Sequence, residues 1–559
     1  MNSTDHKYGA LSHLRSVCGD AYGEQERLLE RIIRKNSETE FGREHGFGEI
    51  TGYNDYKKSV PVTSFADYEE YIARIIQGER DILTADPPVF YNISSGSTGE
   101  PKYFPLCEED IAQQKLYFED LPRDAIRKAL PEEAENDLFG CIFNTGDVFM
   151  TEMPDGTPNG VRSGAYPQLA FKEGKLDCSV FSAPKEVLFP AVPQNMMYVK
   201  IRFALANENI TGIHGIFVHR TIIMLEYILS NWAELVEDTE KGTVNPKFRI
   251  SREWQEYLAE HLPPAPERAA YLRTLSPDDL ETGMLKKIWK KLKYIRVITG
   301  STFADHTEKL KKYTEGIHIH NFIYGASEAV MGAVPHLDKS DEYVLTPDTC
   351  FFEFADEDDP EHIVTMRDIE VGRRYGIIIT TVSGLYRYDM GDIVEVVGKY
   401  GNAPAVKICY RRNMVLNLAD EKLNTAQFES AMKDFAEKTG ISATGCFVVG
   451  NHDHFPPRYE LFIETESELN DGVPAVLEMC LCSNSVGYAG SRSLLEIGSP
   501  MISRLKPGTF RKYDEQLIRE GLRTEQAKPL RIMTDGSKLK FFEKRKEETY
   551  YGKEISESR

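Results

Sequence analysis

Between Tyr91 and Lys102 the sequence reads Tyr-Asn-Ile-Ser-Ser-Gly-Ser-Thr-Gly-Glu-Pro-Lys. An apolar strand pattern runs directly into six consecutive small residues, Ser94, Ser95, Gly96, Ser97, Thr98 and Gly99, and then reaches Lys102. Small residues let backbone N–H groups approach an anion closely, hydroxyls add donors, and a lysine adds a point charge. That is the chemistry of holding a phosphate; the bland alternative is a surface turn. The Walker pattern G-x-x-x-x-G-K-[ST] is absent, so this is not a P-loop. In the segment from Asn321 to Glu328, a strand pattern ends in the turn Tyr324-Gly325-Ala326-Ser327-Glu328. An aromatic at a strand end can flank a base and a Glu can bind Mg²⁺ through oxygen, although a carboxylate that caps a helix looks the same. A third segment, Ser383 to Asp392, ends in Gly391-Asp392. Its Asp could accept both hydroxyls of a ribose, or simply close a polar hairpin. A fourth, Tyr410 to Lys422, contains Arg411 and Arg412, and reads either as a solvated linker or as a place where a ligand binds between domains.

The elements that must position these groups are legible from periodicity. Residues 1–86 read as mostly helical and polar, with an amphipathic stretch at 24–34. From residue 88 short apolar runs alternate with helical patterns, at 89–93, 141–143, 215–218, 294–299, 317–323 and 377–382. Strands interleaved with helices predict an α/β architecture. Near residue 415 the pattern changes. Strands are predicted at 406–409 and 414–418, then a helix carrying Phe428, Met432 and Phe435 on one face, then strands at 443–450 and 459–463. The expected division is a large N-terminal domain over 1–416 and a small α+β domain over 417–559.

Composition bounds the function classes. The chain has 559 residues, and 67 Lys+Arg against 88 Asp+Glu give a net charge of −21. A hydrophobic content of 41% is too high for a disordered chain and supports more than one core. The acid excess argues against a dedicated nucleic-acid binder, yet leaves room for a small anion met by a local positive site. The nine cysteines have no repeating spacing, which does not read as a disulfide framework. The opening residues MNSTDHKYGALSHLRS lack an apolar signal core. The most apolar stretch, 213–232, contains His219, Arg220 and Glu226, which argues against a simple bilayer span. A cytoplasmic protein with no membrane partner is expected.

Taken together, the segments resemble the adenylate-forming superfamily of acyl-CoA synthetases, peptide adenylation domains and luciferases. Ser-Ser-Gly-Ser-Thr-Gly-x-Pro-Lys is close to that superfamily's phosphate loop, Tyr-Gly-x-Ser-Glu resembles its second motif, and Gly391-Asp392 its ribose-binding pair. Within it the chain is similar to the auxin-responsive Gretchen Hagen family of acyl acid amido synthetases. The closer match is carried by Gln194 to Tyr198, Thr299-Gly300-Ser301, Phe352-Glu353-Phe354, Leu385-Tyr386-Arg387-Tyr388, Arg411 to Leu416, Pro507 to Phe510, and Gln526-Ala527-Lys528-Pro529. The departures are a phosphate loop one residue shorter than in plant members, Asp389 where those members usually have Arg, and a poor match over 106–190.

The resemblance implies an adenylate-forming enzyme fold, with a large α/β domain and a smaller, mobile C-terminal domain. It implies an amide synthetase that uses ATP and Mg²⁺ to join a small carboxylic acid to an amino acid through an acyl-AMP. Ser94, Ser95, Gly96, Ser97, Thr98, Gly99 and Lys102 would cradle the pyrophosphate. Tyr324, Gly325, Ala326 and Ser327, with Gly300 and Ser301, would line the adenine pocket. Glu328 would hold the metal and Asp392 the ribose, and Arg411 or Arg412 would reach the nucleotide. Lys422 and Lys528 would approach the phosphates in different closure states. Residues near Met196, Tyr198 and Tyr324 would contribute to the acyl pocket. His214, His219, His318 and His320 lie near strand patterns, where a lone His is usually a packed residue, and no general base is assigned. The alternatives are an acyl-CoA ligase sharing the first step and a non-catalytic nucleotide-binding regulator. A monomer is the expected state.

Overall fold

The computed structural model describes residues 8–552 except 96–100, 147, 149, 191–195, 279, 281, 301–303, 337–340, 412–414, 417, 419–422, 455, 494–496, 520–530 and 534–535. The described residues fall into two units. The first is drawn from Met1–Ser94, Lys102–Met390 and Val394–Ile408, and the second from Ser95–Pro101, Gly391–Ile393 and Cys409–Arg559.

The N-terminal segment of the first unit is helical. Its helix Ala21–Lys35 buries Ala21, Gln25, Leu28, Leu29, Ile32 and Ile33, the three- and four-residue spacing of one apolar stripe. This face packs on the strand Cys350–Asp356. There the Gln25 side chain donates to the carbonyls of Pro347 and Cys350, both at 2.7 Å, and accepts from the Phe352 amide at 2.7 Å. That strand belongs to an eight-stranded sheet ordered Ile363–Thr365, Cys350–Asp356, Arg374–Thr381, Tyr388–Tyr400, Ala403–Arg411, Tyr343–Leu345, Val330–Ala333 and Ile323–Gly325. A second, all-parallel sheet runs Ile142–Asn144, Gly212–Phe217, Tyr294–Ile298 and His318–His320. Phe143, Ile213, Ile295 and Val297 on its inner face pack into a helical core with Leu225, Trp289 and Leu310. The stretch 213–232 is therefore a strand followed by the helix Val218–Ser230. Among the described residues no helix is long and apolar enough to cross a membrane.

The strand expected at 317–323 is a correction. It is two strands, His318–His320 in the parallel sheet and Ile323–Gly325 in the eight-stranded one. Asn321 and Phe322 make the crossing, and both are fully buried. Apolar alternation stops at the adjacent polar pair His320-Asn321, and the expectation of one strand over 317–323 passes over that break.

In the second unit, the helix Thr425–Thr439 starts at a capping box between Asn424 and Gln427 and ends at Gly440 in the left-handed region. It packs beside the helix Val473–Asn484 over a four-stranded sheet, Gly445–Asn451, Arg458–Glu464, Met501–Leu505 and Lys546–Tyr551. Phe428 and Phe435 lie in its core, as their spacing predicts.

One buried ion pair organises the large sheet. Arg387 Nε donates to both Glu353 oxygens, at 2.8 and 3.1 Å, and Nη2 donates to Oε1 at 2.9 Å. Nη1 donates to the Val60 carbonyl at 2.8 Å. Tyr53 donates its hydroxyl to the same carboxylate at 2.9 Å. Arg387 has φ of 49°, a conformation that costs an L residue about 1–2 kcal/mol, and these bonds hold it there. The matched stretches Phe352-Glu353-Phe354 and Leu385-Tyr386-Arg387-Tyr388 are thus two halves of one structural contact. Glu353→Leu should strand the guanidinium and lower the stability of the first unit by about 3–5 kcal/mol, whereas the double variant Glu353→Leu/Arg387→Met should recover most of it. Tryptophan fluorescence in a urea titration measures this, because Trp232, Trp254 and Trp289 all lie in the first unit.

Candidate functional site

The carboxyl ends of parallel strands are where open α/β sheets present ligand crevices. In the first unit this edge carries Asn144, Phe217, Thr299-Gly300 and His320-Asn321. Asn321 ties it to the other sheet. Its Oδ1 accepts from the Thr299 amide at 3.3 Å and its Nδ2 donates to the Tyr343 hydroxyl at 2.9 Å. Burial pushes the Tyr343 hydroxyl up to about 12, so it stays protonated at neutral pH. A Cβ on Gly300 would lie 2.1 Å from that hydroxyl, which explains why this position is a glycine. Tyr324 stands on the other side of Tyr343, with ring centroids 5.6 Å apart. Gly300 and the Tyr324–Glu328 segment therefore meet around one tyrosine.

That segment is a hairpin turn, not a helix cap. Ile323–Gly325 pairs antiparallel with Val330–Ala333 through an irregular register between Val330 and Gly332, and the Ala326 amide donates to the Ala329 carbonyl at 2.9 Å. Ser327 is pinned through its backbone. Its carbonyl accepts from Asn92 Nδ2 at 2.6 Å and faces Arg162 Nη1 at 3.4 Å. Arg162 forms a buried ion pair with Asp110, which also accepts from the Ser383 hydroxyl at 3.0 Å. Asn92 lies in the strand Phe90–Ser95, so this network couples the strand leading into the small-residue loop to the turn that presents Glu328. Asn92 Oδ1 is buried and has no partner among the described residues. The Glu328 carboxylate is buried too, and accepts from the Tyr388 hydroxyl at 3.4 Å.

The remaining expected residues are placed as follows. Ser94 and Ser95 end the strand Phe90–Ser95, and Lys102 lies in the strand Pro101–Leu106 with its ammonium over the Phe65 ring, 4.7 Å from the centroid. Asp392 is buried in the strand Tyr388–Tyr400, directly after Gly391 at φ 70°. Arg411 ends the strand Ala403–Arg411. Gly96, Ser97, Thr98, Gly99, Ser301, Lys422 and Lys528 lie outside the described residues. Tyr198 is not available to a ligand. It is fully buried, stacked on Phe248 at 4.3 Å, with its hydroxyl on Asp238 at 2.8 Å, because the helix Met196–Ala206 is buried on nearly every side.

Comparisons with known proteins give the family. The chain matches the GH3 family N-terminal domain over residues 10–319, the central domain over 343–411 and the C-terminal domain over 426–537. The chain belongs to the GH3 family. Among similar proteins, indole-3-acetic acid-amido synthetase GH3.3 of Arabidopsis thaliana is 26% identical over 540 residues, covering 91% of this chain and 89% of that one. GH3.6 of the same plant is 24% identical over 576 residues, covering 97% and 93%. A solved GH3.15 acyl acid amido synthetase superposes with a TM-score of 0.84 at 24% identity, over 98% of this chain and 97% of that one. The α/β fold of this GH3 chain is therefore the one expected.

Sequence reasoning missed several members of the site in this GH3 chain, namely Asn92, Asp110, Arg162, Asn321, Tyr343 and Tyr388. The available signal was weak but physical: Asn92 and Asn321 are polar residues set within apolar runs, and a fully buried Asn must be there to bond something. Gly300→Ala should clash with the Tyr343 hydroxyl and destabilise the first unit by about 1–3 kcal/mol. Adding Tyr343→Phe should recover part of that loss, as read by the midpoint of thermal unfolding.

Proposed function

We propose that the chain is an ATP-dependent acid–amino acid ligase that works through an acyl-adenylate. The observation that carries this reading is the turn Tyr324–Glu328. It offers an aromatic and small residues beside Gly300, and a buried, sparsely bonded carboxylate at its end. Membership of the GH3 family supports it, as do the names of the relatives, which are amido synthetases. The donor set suits the groups such a reaction needs. Glu328 is an oxygen ligand of the kind Mg²⁺ takes, and the Tyr324 ring is of the kind that flanks a flat base.

In this reading the acid's carboxylate attacks the α-phosphate of ATP, pyrophosphate leaves, and an amino acid's amine then attacks the acyl carbon and expels AMP. A free carboxylate is a poor acyl donor, and adenylation gives it a good leaving group. Two anions must approach in the first step, so fixed positive donors are needed. Ser94 to Gly99 and Lys102 would hold the phosphates, Tyr324 to Ser327 with Gly300 and Ser301 the adenine, Asp392 the ribose, and Arg411 the nucleotide. Mg²⁺ on Glu328 would neutralise phosphate charge. Lys422 and Lys528 would serve the phosphates in turn as the smaller unit moves, and closure would keep water from a hydrolysable adenylate.

Lys528→Ala should slow adenylate formation about a hundredfold or more while leaving the Kd for ATP nearly unchanged, as expected for a group acting in the transition state. Asp392→Ala should weaken ATP binding directly, which calorimetry reads. The function itself is tested by giving the full chain ATP, a panel of acids, and either amino acids or CoA, with products identified by mass. Amides are expected; thioesters alone would make it an acyl-CoA ligase, and no acid-dependent pyrophosphate release would remove the enzyme reading.

A further inference from the structure

Across the parallel sheet one row of residues is polar on every strand. Asn144 is paired with His214, His214 with Arg296, and Arg296 with His320. In a parallel sheet such a row points to one face. The opposite face, through Phe143, Ile213 and Ile295, forms the helical core, so the polar row is not a solvated outer surface by default. It descends from half-buried Asn144 and His214 to Arg296 and His320, which are 7% and 0% exposed. Four neighbouring strand positions without one apolar side chain are unusual for a buried parallel sheet.

The fold does not satisfy this row. Arg296 Nη1 donates to the Phe118 carbonyl at 2.9 Å and to Glu119 at 2.8 Å. Among the described residues, however, Arg296 Nε and both ring nitrogens of His320 have no partner. An unsatisfied buried polar group is destabilising, so packing alone gives no reason to keep the row. At the accessible end, His214 Nε2 meets the Tyr294 hydroxyl at 2.9 Å. Among the described residues no hydrogen bond engages His214 Nδ1. Asn144 Oδ1 accepts from the Gly146 amide at 3.2 Å, which leaves its Nδ2 to donate.

The row is one residue's breadth from the turn that carries Glu328. Phe118, whose carbonyl takes Arg296, has its ring 3.5 Å from where a Cβ on Gly325 would sit. Phe118 stands between the two, and an acid held for activation beside that turn meets the row with its far end where it extends past this ring. The charge of the row decides what that far end is. Arg296 is already compensated by Glu119. Burial and the neighbouring Arg296 hold His320 down at about 3, and burial with Arg296, Arg123 and His320 also depresses His214, so both imidazoles are neutral. A second carboxylate would meet Glu119 with no spare cation. A neutral hydroxyl fits, because it can accept from Asn144 Nδ2 and pair with His214 Nδ1 in either tautomer.

We propose that the acid used by this enzyme bears a hydroxyl distal to its carboxyl, and that Asn144 and His214, backed by Arg296 and His320, bind it. This rests on the ligase reading above and names the substrate class for that site. The test uses the full chain and matched pairs that differ only in a distal hydroxyl: phenylacetate and 4-hydroxyphenylacetate, 3-phenylpropionate and its 4-hydroxy analogue, hexanoate and 6-hydroxyhexanoate. Acid-dependent pyrophosphate release gives kcat/KM for each. In at least one pair the hydroxylated member should be favoured by about 10-fold or more, since a site built to bond a hydroxyl rejects the analogue lacking it. The methyl ether of that acid should lose the advantage, a control that needs no variant. In His214→Leu and Asn144→Leu the ratio within the pair should fall towards one, whatever the absolute rate, with the KM for ATP unmoved. A preference for the unsubstituted member in every pair, or a hydroxyl preference that survives both variants, overturns this assignment while leaving the ligase reading intact. Absence of turnover with every acid overturns the ligase reading and this assignment with it.

Discussion

The arrangement of the first unit depends on the side chain of Asn321. Fully buried, it takes the Thr299 amide from one sheet and gives a hydrogen to Tyr343 of the other. A buried amide must be paired on both its atoms or its desolvation is uncompensated, so the two sheets can meet here in only one way. That fixes where Gly300 stands relative to Tyr343, and where the Tyr324–Glu328 turn begins. Around this joint the supporting contacts are also buried and polar: Asn92 and Arg162 on the Ser327 carbonyl, Asp110 on Arg162, and Glu353 on Arg387. Such networks are rigid when satisfied and costly when broken, which suits a site that has to hold small displacements of charge in register.

The charge of the chain sharpens this picture. At −21 the molecule as a whole repels a polyphosphate, so any nucleotide must be met by local devices. The proposed small-residue backbone, lysines and metal on Glu328 would be devices of that kind, acting at short range, where screening and net charge matter little. The polar row from Asn144 to His320 is different in character. It is close to neutral, and discriminates by hydrogen bonding instead of attraction.

Much of the fold was legible in the sequence. The amphipathic run at 24–34, the first three strands of the parallel sheet and the Phe428–Phe435 helix follow from periodicity, since each buries its own apolar stripe. The Tyr324–Glu328 turn was legible because small residues after a strand have few other uses. The crossing at Asn321 was not, because its partners Thr299 and Tyr343 are 22 residues away on either side. Asp110 and Arg162 stand 52 residues apart in a region of poor family match, so nothing local announces their pairing. Arg387 and Glu353 lay inside recognised stretches, yet only their contact in space shows that they serve the sheet and not a ligand. Tyr198 misled for the opposite reason: an aromatic near a family motif proved to be helical packing.

Isotope transfer tests the acyl-adenylate most directly. The acid is supplied with both carboxyl oxygens as ¹⁸O, together with ATP and an amino acid, and the released nucleotide is weighed. Attack of the carboxylate on the α-phosphate leaves one labelled oxygen in AMP once the amide has formed, and that is the expected result. Unlabelled AMP, or label recovered in inorganic phosphate alongside ADP, would contradict it.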